Sequence, residues 1–186
     1  MNAINSKLIF NEELLSITID RLCFQLIENH NDFADSVLIG IQPRGVILAK
    51  RIFNRIREIS PESSLQYGEL DISFFRDDFR RREMIVPSST RMDMSLEGKR
   101  VILVDDVLHT GRTVRAALDA LLVYGRPAGV ELLVLIDRKF SRQLPIYPHY
   151  IGKSIDAIAE EKVKVRLEGE NDDHGVWLIS GKAGHE

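Results

Sequence analysis

Along the chain, two spacings of apolar residues take turns. Leu15, Ile19, Leu22 and Leu26 recur at helical spacing and predict a helix over about Glu12–His30. Asn11 can cap it, and Glu12 and Glu13 stand where the positive end of the helix dipole favours acids. Ser36 to Ile41 is a continuous apolar run that predicts a buried strand, followed by a Pro-Arg-Gly turn. A second helix is expected from about Val46 to Glu58, stopping before Ser60-Pro61, and another strand from Leu65 to Phe75. Arg100 to Val104 reads as a short strand buried on both faces, and Thr113 to Tyr124 as a helix closed by Gly125 and Pro127. Val130 to Ile136 is the next buried strand. This alternation predicts an α/β fold with a central, mainly parallel sheet flanked by helices. Lys162–Leu167 and Gly175–Ile179 read as extra strands near the C-terminus, so one domain over residues 1–186 is expected.

Between Arg76 and Gly98 the pattern fails. The run is charged, with Pro87 and Ser88-Ser89-Thr90 in its middle. A loop that long in a compact domain is either a solvated excursion or a functional element such as a mobile lid, and both readings stay open here.

Composition narrows the class. The chain has 186 residues, 44% of them apolar, and its 25 basic and 28 acidic side chains leave a formal charge of −3. That suits a soluble protein with one substantial core and gives no general sign of a polyanion binder. Cys23 is the only cysteine, which excludes a disulfide framework and a cysteine-based zinc site; its place on an apolar helix face predicts core packing. The N-terminus lacks a secretory or transit pattern, and no apolar run approaches the roughly 18–20 residues that span a bilayer. A cytoplasmic protein is the expectation.

The chemistry concentrates in Val101–Thr113, VILVDDVLHTGRT. Ligands of open α/β sheets bind beyond the carboxyl ends of the strands, and here Asp105 and Asp106 stand at the end of one. His109-Thr110-Gly111-Arg112-Thr113 then turns into a helix, where backbone N–H groups make an anion site and Gly111 permits close approach. The loop suits a phosphate, while the carboxylates suit vicinal hydroxyls or a hydrated Mg²⁺. A sugar phosphate satisfies both ends. A nucleotide triphosphatase strand would need a GxxxxGK[ST] loop, and the chain has none.

VILVDDVLHTGRT closely resembles the PRPP-binding signature of type I phosphoribosyltransferases. Its continuation VRAALDALLVYGRPAGVELLVLIDR, the later LPIYPHYIGKSI, Gly40-Ile-Gln-Pro-Arg-Gly45 and Phe75-Arg-Asp-Asp78 resemble one branch of them. That branch is the PyrR family of bifunctional pyrimidine operon regulators and uracil phosphoribosyltransferases. The resemblance implies that Asp105 and Asp106 hold the ribose hydroxyls, with Mg²⁺ bound through those hydroxyls and water. It implies that Val107, Leu108, His109, Thr110, Gly111, Arg112 and Thr113 shape the 5′-phosphate side, and that Pro43, Arg44 and Gly45 form the pyrophosphate loop. Uracil is then expected near Asp137 and Arg138, with Val163 in a hood above it. A lid from Arg76 to Met94 would exclude water, its Arg80-Arg81-Arg82 reaching pyrophosphate. His109 is either a catalytic base or an aromatic ring packed beside the ligand, and the residues do not decide between them.

Two functions of different kind follow from this resemblance. One is synthesis of UMP and pyrophosphate from uracil and PRPP. The other is binding of a pyrimidine-operon leader RNA under control of UMP or UTP, for which Arg21, Arg138, Lys139, Arg142 and Lys153 are the available cations. Asp20 beside Arg21 departs from the family, which has a neutral hydroxyl residue there, and an acid would repel phosphate. A homo-oligomer, dimer or higher, is also implied.

Overall fold

The computed structural model describes residues 5–77, 90–158, 161–167 and 174–180. Its centre is a five-stranded, wholly parallel sheet of β2 (Ser36–Ile41), β3 (Gln66–Leu70), β4 (Arg100–Leu108), β5 (Gly129–Lys139) and β6 (Tyr150–Asp156), in the order β3-β2-β4-β5-β6. Helices α1 (Glu12–His30) and α2 (Arg44–Ile59) cover one face, and α3 (Arg112–Leu121) the other. A second, antiparallel sheet has the order β1-β8-β7, from β1 (Asn5–Phe10), β8 (Gly175–Ser180) and β7 (Glu161–Arg166). The α/β architecture and the extra C-terminal strands agree with the expectation.

The two faces of the sheet follow from the two-residue repeat of extended backbone. Leu38, Ile102, Val104, Leu133 and Leu135 point toward α1 and α2, where they meet Leu22, Leu26, Leu48 and Ile52. Val37, Ile39, Val101, Leu103 and Val134 point the other way, toward Val114, Ala117, Ala120 and Leu121 of α3. Phe10, Val176 and Leu178 of the small sheet join the first of these clusters, so one apolar core runs under both sheets. Cys23 is fully buried in it, and burial raises its thiol pKa to about 12, which leaves it inert near neutrality.

Several elements differ from the expectation. β1 and β6 were not anticipated as strands: β1 is short, and β6 is an edge strand that buries little beyond Tyr150 and Ile155, so its apolar signal is faint. β3 stops at Leu70 rather than Phe75, because Asp71 takes the backbone N–H and hydroxyl of Ser73 at 2.9 and 2.6 Å and turns the chain. α2 begins at Arg44, not Val46. The long charged stretch also ends sooner than its composition implied. Arg91 pairs with Glu69 beside the edge of β3, Met92 packs on Gly68, and Leu96 is fully buried. The proposed lid and its arginines 80–82 lie largely in 78–89, outside the described residues. Among the described residues no helix is long and apolar enough to cross a membrane.

At the N-terminal ends of the strands lies a buried polar network. His30 Nδ1 meets Ser36 Oγ at 2.8 Å, while its Nε2 lies 3.1 Å from both Glu131 Oε2 and Tyr150 OH. Tyr150 donates to Glu131 at 2.7 Å, and Arg100 donates to the other oxygen of Glu131 at 2.6 Å. Burial holds the His30 pKa below its ordinary 6.5 despite the Glu131 carboxylate beside it. The unfolded chain therefore binds a proton that the folded one resists, so this contribution is intact above 6.5 and is lost as pH falls below it. Glu131, whose pKa is lowered from 4.5, acts only in a more acidic window. The raised Asp105 and Asp106 pull the other way, so the comparison must be between variants. Between about pH 7.5 and 5.5, thermal melts of the wild type should lose stability more steeply than those of His30→Gln. Parallel Tm-versus-pH curves for the two would contradict this account.

Candidate active site

The strand order puts a crevice between β2 and β4, because the chain leaves β2 outward to β3 and then returns to β4 on its other side. Such switch points are where open α/β sheets bind ligands. β4 is paired with β2 only as far as Gly40–Val104, yet it continues beside β5 to Leu108. Asp105 and Asp106 therefore lie within the strand, not past its end as the sequence implied. They sit where β2 has already turned away into the Gln42–Gly45 segment.

That turn is held against β4 very closely. A Cβ on Gly45 would lie 2.3 Å from the Val104 carbonyl oxygen and 3.1 Å from Asp105 Cα, so only glycine fits. The Gln42–Pro43 peptide is cis. Pro43 occupies the N-cap of α2 and gives no side-chain cap, and α3 starts behind Gly111 (φ +91°), again with no side-chain cap. Residues from both helix starts, Arg44 and Thr113, line one cavity of about 560 Å³. Neither N-cap residue supplies a side-chain cap, so the positive ends of both helices face it, with the Arg112 N–H donating to Thr110 Oγ1 at 3.4 Å.

Across the cavity floor are the two acids. Asp105 and Asp106 are buried, and Asp105 Oδ1 accepts from the Asp106 N–H at 2.9 Å. Burial first, then repulsion from Asp106, raises the Asp105 pKa well above the carboxylate range. Burial also raises Asp106, opposed by Arg44, whose Nη1 is 3.6 Å from Asp106 Oδ2, too far for a hydrogen bond. Asp106 Oδ2 is buried with no hydrogen-bond partner. A buried acceptor of this kind needs a donor, and a sugar hydroxyl or water on a divalent cation supplies one. The residues present fit a hydrated Mg²⁺ by that criterion.

The opposite wall comes from the small sheet, through Lys162 and Val163 of β7. Arg138, near the end of β5, also lines the cavity; its Nη2 donates to the Ile158 carbonyl at 3.1 Å, and its Nε is buried without a partner. Val107 and His109 complete this side. Desolvation, and then the guanidinium groups of Arg138 and Arg142, lower the His109 pKa below 6.5, so the ring is neutral at pH 7.

Several expected residues are placed elsewhere. Leu108 is buried under α3 in the second core cluster. Asp137 is turned into an ion pair with Arg142 and does not line the cavity. Arg142 also donates to the His109 carbonyl, the Gln143 N–H donates to the Thr110 carbonyl at 3.0 Å, and Leu144 and Ile146 pack on Gly111. The 142–146 segment is thus a brace behind the phosphate-loop candidate. Arg112 points outward, paired with Asp77 and donating to Gln143 at 2.8 Å. Of the remaining cations considered for RNA, Arg21 donates to the Ile151 and Gly152 carbonyls at 2.9 and 2.8 Å, and Lys153 lies over the Phe10 ring.

Three lining residues were missed. Ile72 and Ser73 were assigned to a strand, although the Asp-x-Ser spacing is the signal of the side-chain-capped turn found there. Lys162 was read only as part of a strand, and nothing local marks which residue of β7 faces a site formed by another sheet.

Comparison with known proteins agrees with this geometry. The family model for the phosphoribosyl transferase domain matches residues 6–169. The bifunctional protein PyrR of Synechocystis sp. is 43% identical over 173 residues, covering 93% of this chain and 96% of that protein. The pyrimidine operon regulatory protein of Lactococcus lactis is likewise 43% identical, over 93% of this chain and 96% of the relative. Among solved structures, a hypoxanthine phosphoribosyltransferase from Staphylococcus aureus superposes with a TM-score of 0.68 at 20% identity, covering 98% of both chains. One from Trypanosoma cruzi gives 0.70 at 17% identity, covering 91% of this chain and 94% of that one. These two establish likeness of fold.

Proposed function

Because the chain belongs to the PyrR family of phosphoribosyltransferases, we propose that it transfers ribose 5-phosphate from PRPP to uracil, releasing pyrophosphate and forming UMP. The observation that carries this reading is the crevice itself: two uncapped helix starts, a buried acid pair and Arg44 all open into one cavity.

In the reaction the bond from ribose C1 to pyrophosphate oxygen breaks, a bond from C1 to uracil N1 forms, and the N1 proton leaves. Positive charge builds on the ribose as the first bond weakens, and carboxylates close to the ring stabilise it. Asp105 and Asp106 are the groups assigned to the ribose hydroxyls. Their raised proton affinity favours contact with hydroxyl donors and with developing positive charge. The N–H groups at the start of α3, with Thr110 and Thr113, take the 5′-phosphate, braced from behind by Gln143 and Leu144. The turn at Pro43, Arg44 and Gly45 takes the pyrophosphate, with the guanidinium of Arg44 exposed for it. Mg²⁺, held by Asp105 and Asp106 through ribose hydroxyls and water, would neutralise the leaving group. Arg138, which lines the cavity, is the guanidinium available to a base carbonyl, with Val107 and Val163 as apolar wall. PRPP and uracil are intracellular metabolites, and we place the chain in the cytoplasm, in an oligomer of at least two copies.

A PRPP- and Mg²⁺-dependent assay offering uracil or hypoxanthine tests this reading directly. Uracil should be converted and hypoxanthine not, and Asp106→Asn should lower turnover by about 10²-fold or more. Transfer to hypoxanthine instead would move the chain to another base. Desolvation and the guanidiniums of Arg138 and Arg142 lower the proton affinity of His109, and a ring that takes a proton less readily suits packing beside the ligand better than accepting one. His109→Phe should therefore keep near-normal turnover across pH 6–8. A loss that follows a titration near the histidine pKa would make it a base.

Regulation through RNA is the second reading, and it has a specific support. Arg21 is tied to the Ile151 and Gly152 carbonyls, immediately before Lys153 on β6. Asp20, expected to repel phosphate there, is held in a bidentate pair by Arg55 at 2.7 and 3.1 Å. Filter binding of a pyrimidine-operon leader RNA should be salt-sensitive and enhanced by UMP. Retention that ignores both salt and nucleotide would remove this function.

A further inference from the structure

Behind the Gln42–Gly45 turn, on the edge strand β3, is a carboxylate that does not itself line the cavity. Glu69 is only 5% exposed. Its Oε2 accepts from Gln42 Nε2 at 3.0 Å, and its Oε1 lies 2.9 Å from Lys50 Nζ and accepts from Tyr67 OH at 3.3 Å. Its backbone exchanges two 2.9 Å hydrogen bonds with Arg91, which fix the strand edge in place. Gln42 is tied a second time, because its N–H donates to the Leu70 carbonyl at 2.9 Å. Gln42 itself lines the cavity beside Pro43 and Arg44.

We infer that Glu69 is a positioning residue for the pyrophosphate side of the site, holding the Gln42-Pro43-Arg44 turn in one orientation from behind. Three physical points lead there. An ionised carboxylate accepts hydrogen bonds and donates none, so it selects which end of the Gln42 amide faces it: the nitrogen turns to Glu69 and the carbonyl oxygen away. A glutamine without such a partner leaves that choice open. Second, Glu69 grips the chain on both sides of Arg44, at Gln42 before it and at Lys50 on α2 after it, so the turn cannot rotate without breaking one contact. Third, burying a carboxylate costs stability that an apolar residue of similar volume avoids, and the fold alone gains little from it. The benefit falls on the turn.

The inference rests on reading 42–45 as the pyrophosphate loop. The test compares wild type, Glu69→Gln, Gln42→Ala and the double variant. Three quantities are measured: Kd for PRPP with Mg²⁺ by calorimetry, KM for PRPP and for uracil, and Tm. Glu69→Gln keeps the shape but can donate as well as accept, so it no longer sorts the amide. Its Kd and KM for PRPP should rise about tenfold, a change of about 1.4 kcal/mol. KM for uracil should stay within about twofold. The double variant should lose less PRPP affinity than the two single losses multiplied, since the Gln42–Glu69 contact is common to both. Unchanged PRPP affinity, multiplying losses in the double variant, or an equal decline in every constant together with Tm would each overturn the inference. If Glu69→Gln does not fold, Gln42→Ala decides, and normal PRPP affinity in it refutes the role. A wild type that binds PRPP but leaves uracil untouched refutes the base assignment alone, and the PRPP arm still reads Glu69. A wild type that does not bind PRPP removes both.

Discussion

The site depends on how closely α2 can approach β4. At Gly45 the two backbones come so near that one methyl group would sit 2.3 Å from the Val104 carbonyl oxygen. That approach brings Arg44 to within 3.6 Å of Asp106 and aims an uncapped helix start into the crevice where β4 has lost its β2 neighbour. A second tight contact holds α2 against β2, where a Cβ on Gly40 would lie 2.6 Å from Val46 Cα. Were the helix moved out by the width of a side chain, Arg44 would leave Asp106 and the acid pair would lose the charge that opposes its protonation.

Electrostatics in this crevice are deliberately incomplete. Two buried carboxylates face one partly exposed arginine, one carboxylate oxygen lacks a donor, and one guanidinium nitrogen on the far wall lacks an acceptor. Elsewhere in the fold comparable charges are satisfied: Asp20 by Arg55, Asp137 by Arg142, Asp77 by Arg112. Unmet polar groups inside a protein cost stability, and their concentration around one cavity is the physical mark of a place prepared for a polar ligand. The opposite pole of the sheet shows the contrast. There His30, Ser36, Glu131, Tyr150 and Arg100 close on one another, and the network serves the fold.

Positioning is shared among elements distant in the chain. The phosphate-loop candidate is braced by 142–146, the turn at 42–45 is held by Glu69, and the wall above the acids is lent by a strand of the other sheet. The cations considered for RNA divide the same way. Arg138 and Arg142 are taken up by the site and its brace, whereas Arg21 is tied to β6 immediately before Lys153.

Much of this was legible in the residues alone, and the reasons are local. Helix α1 announces itself by apolar spacing and an Asn cap, and the cap forms, with Asn11 Oδ1 accepting from the Leu14 N–H. The buried strands announce themselves by apolar runs, and VILVDDVLHTGRT carries acids, glycine and hydroxyls at a spacing that suits a sugar phosphate. These features are encoded within a few neighbouring residues. What the tertiary structure decided is which distant groups meet. Asp137 and Arg142 were eligible for ligands, but a five-residue return brings them onto each other. Lys162 and Glu69 carry no local sign of their roles, because each acquires one only when another strand or turn is packed beside it, and the Asp71-x-Ser73 spacing marks a turn without marking the cavity it borders. Edge strands such as β6 bury too little to leave a pattern. Local chemistry wrote the motif, and long-range packing chose its company.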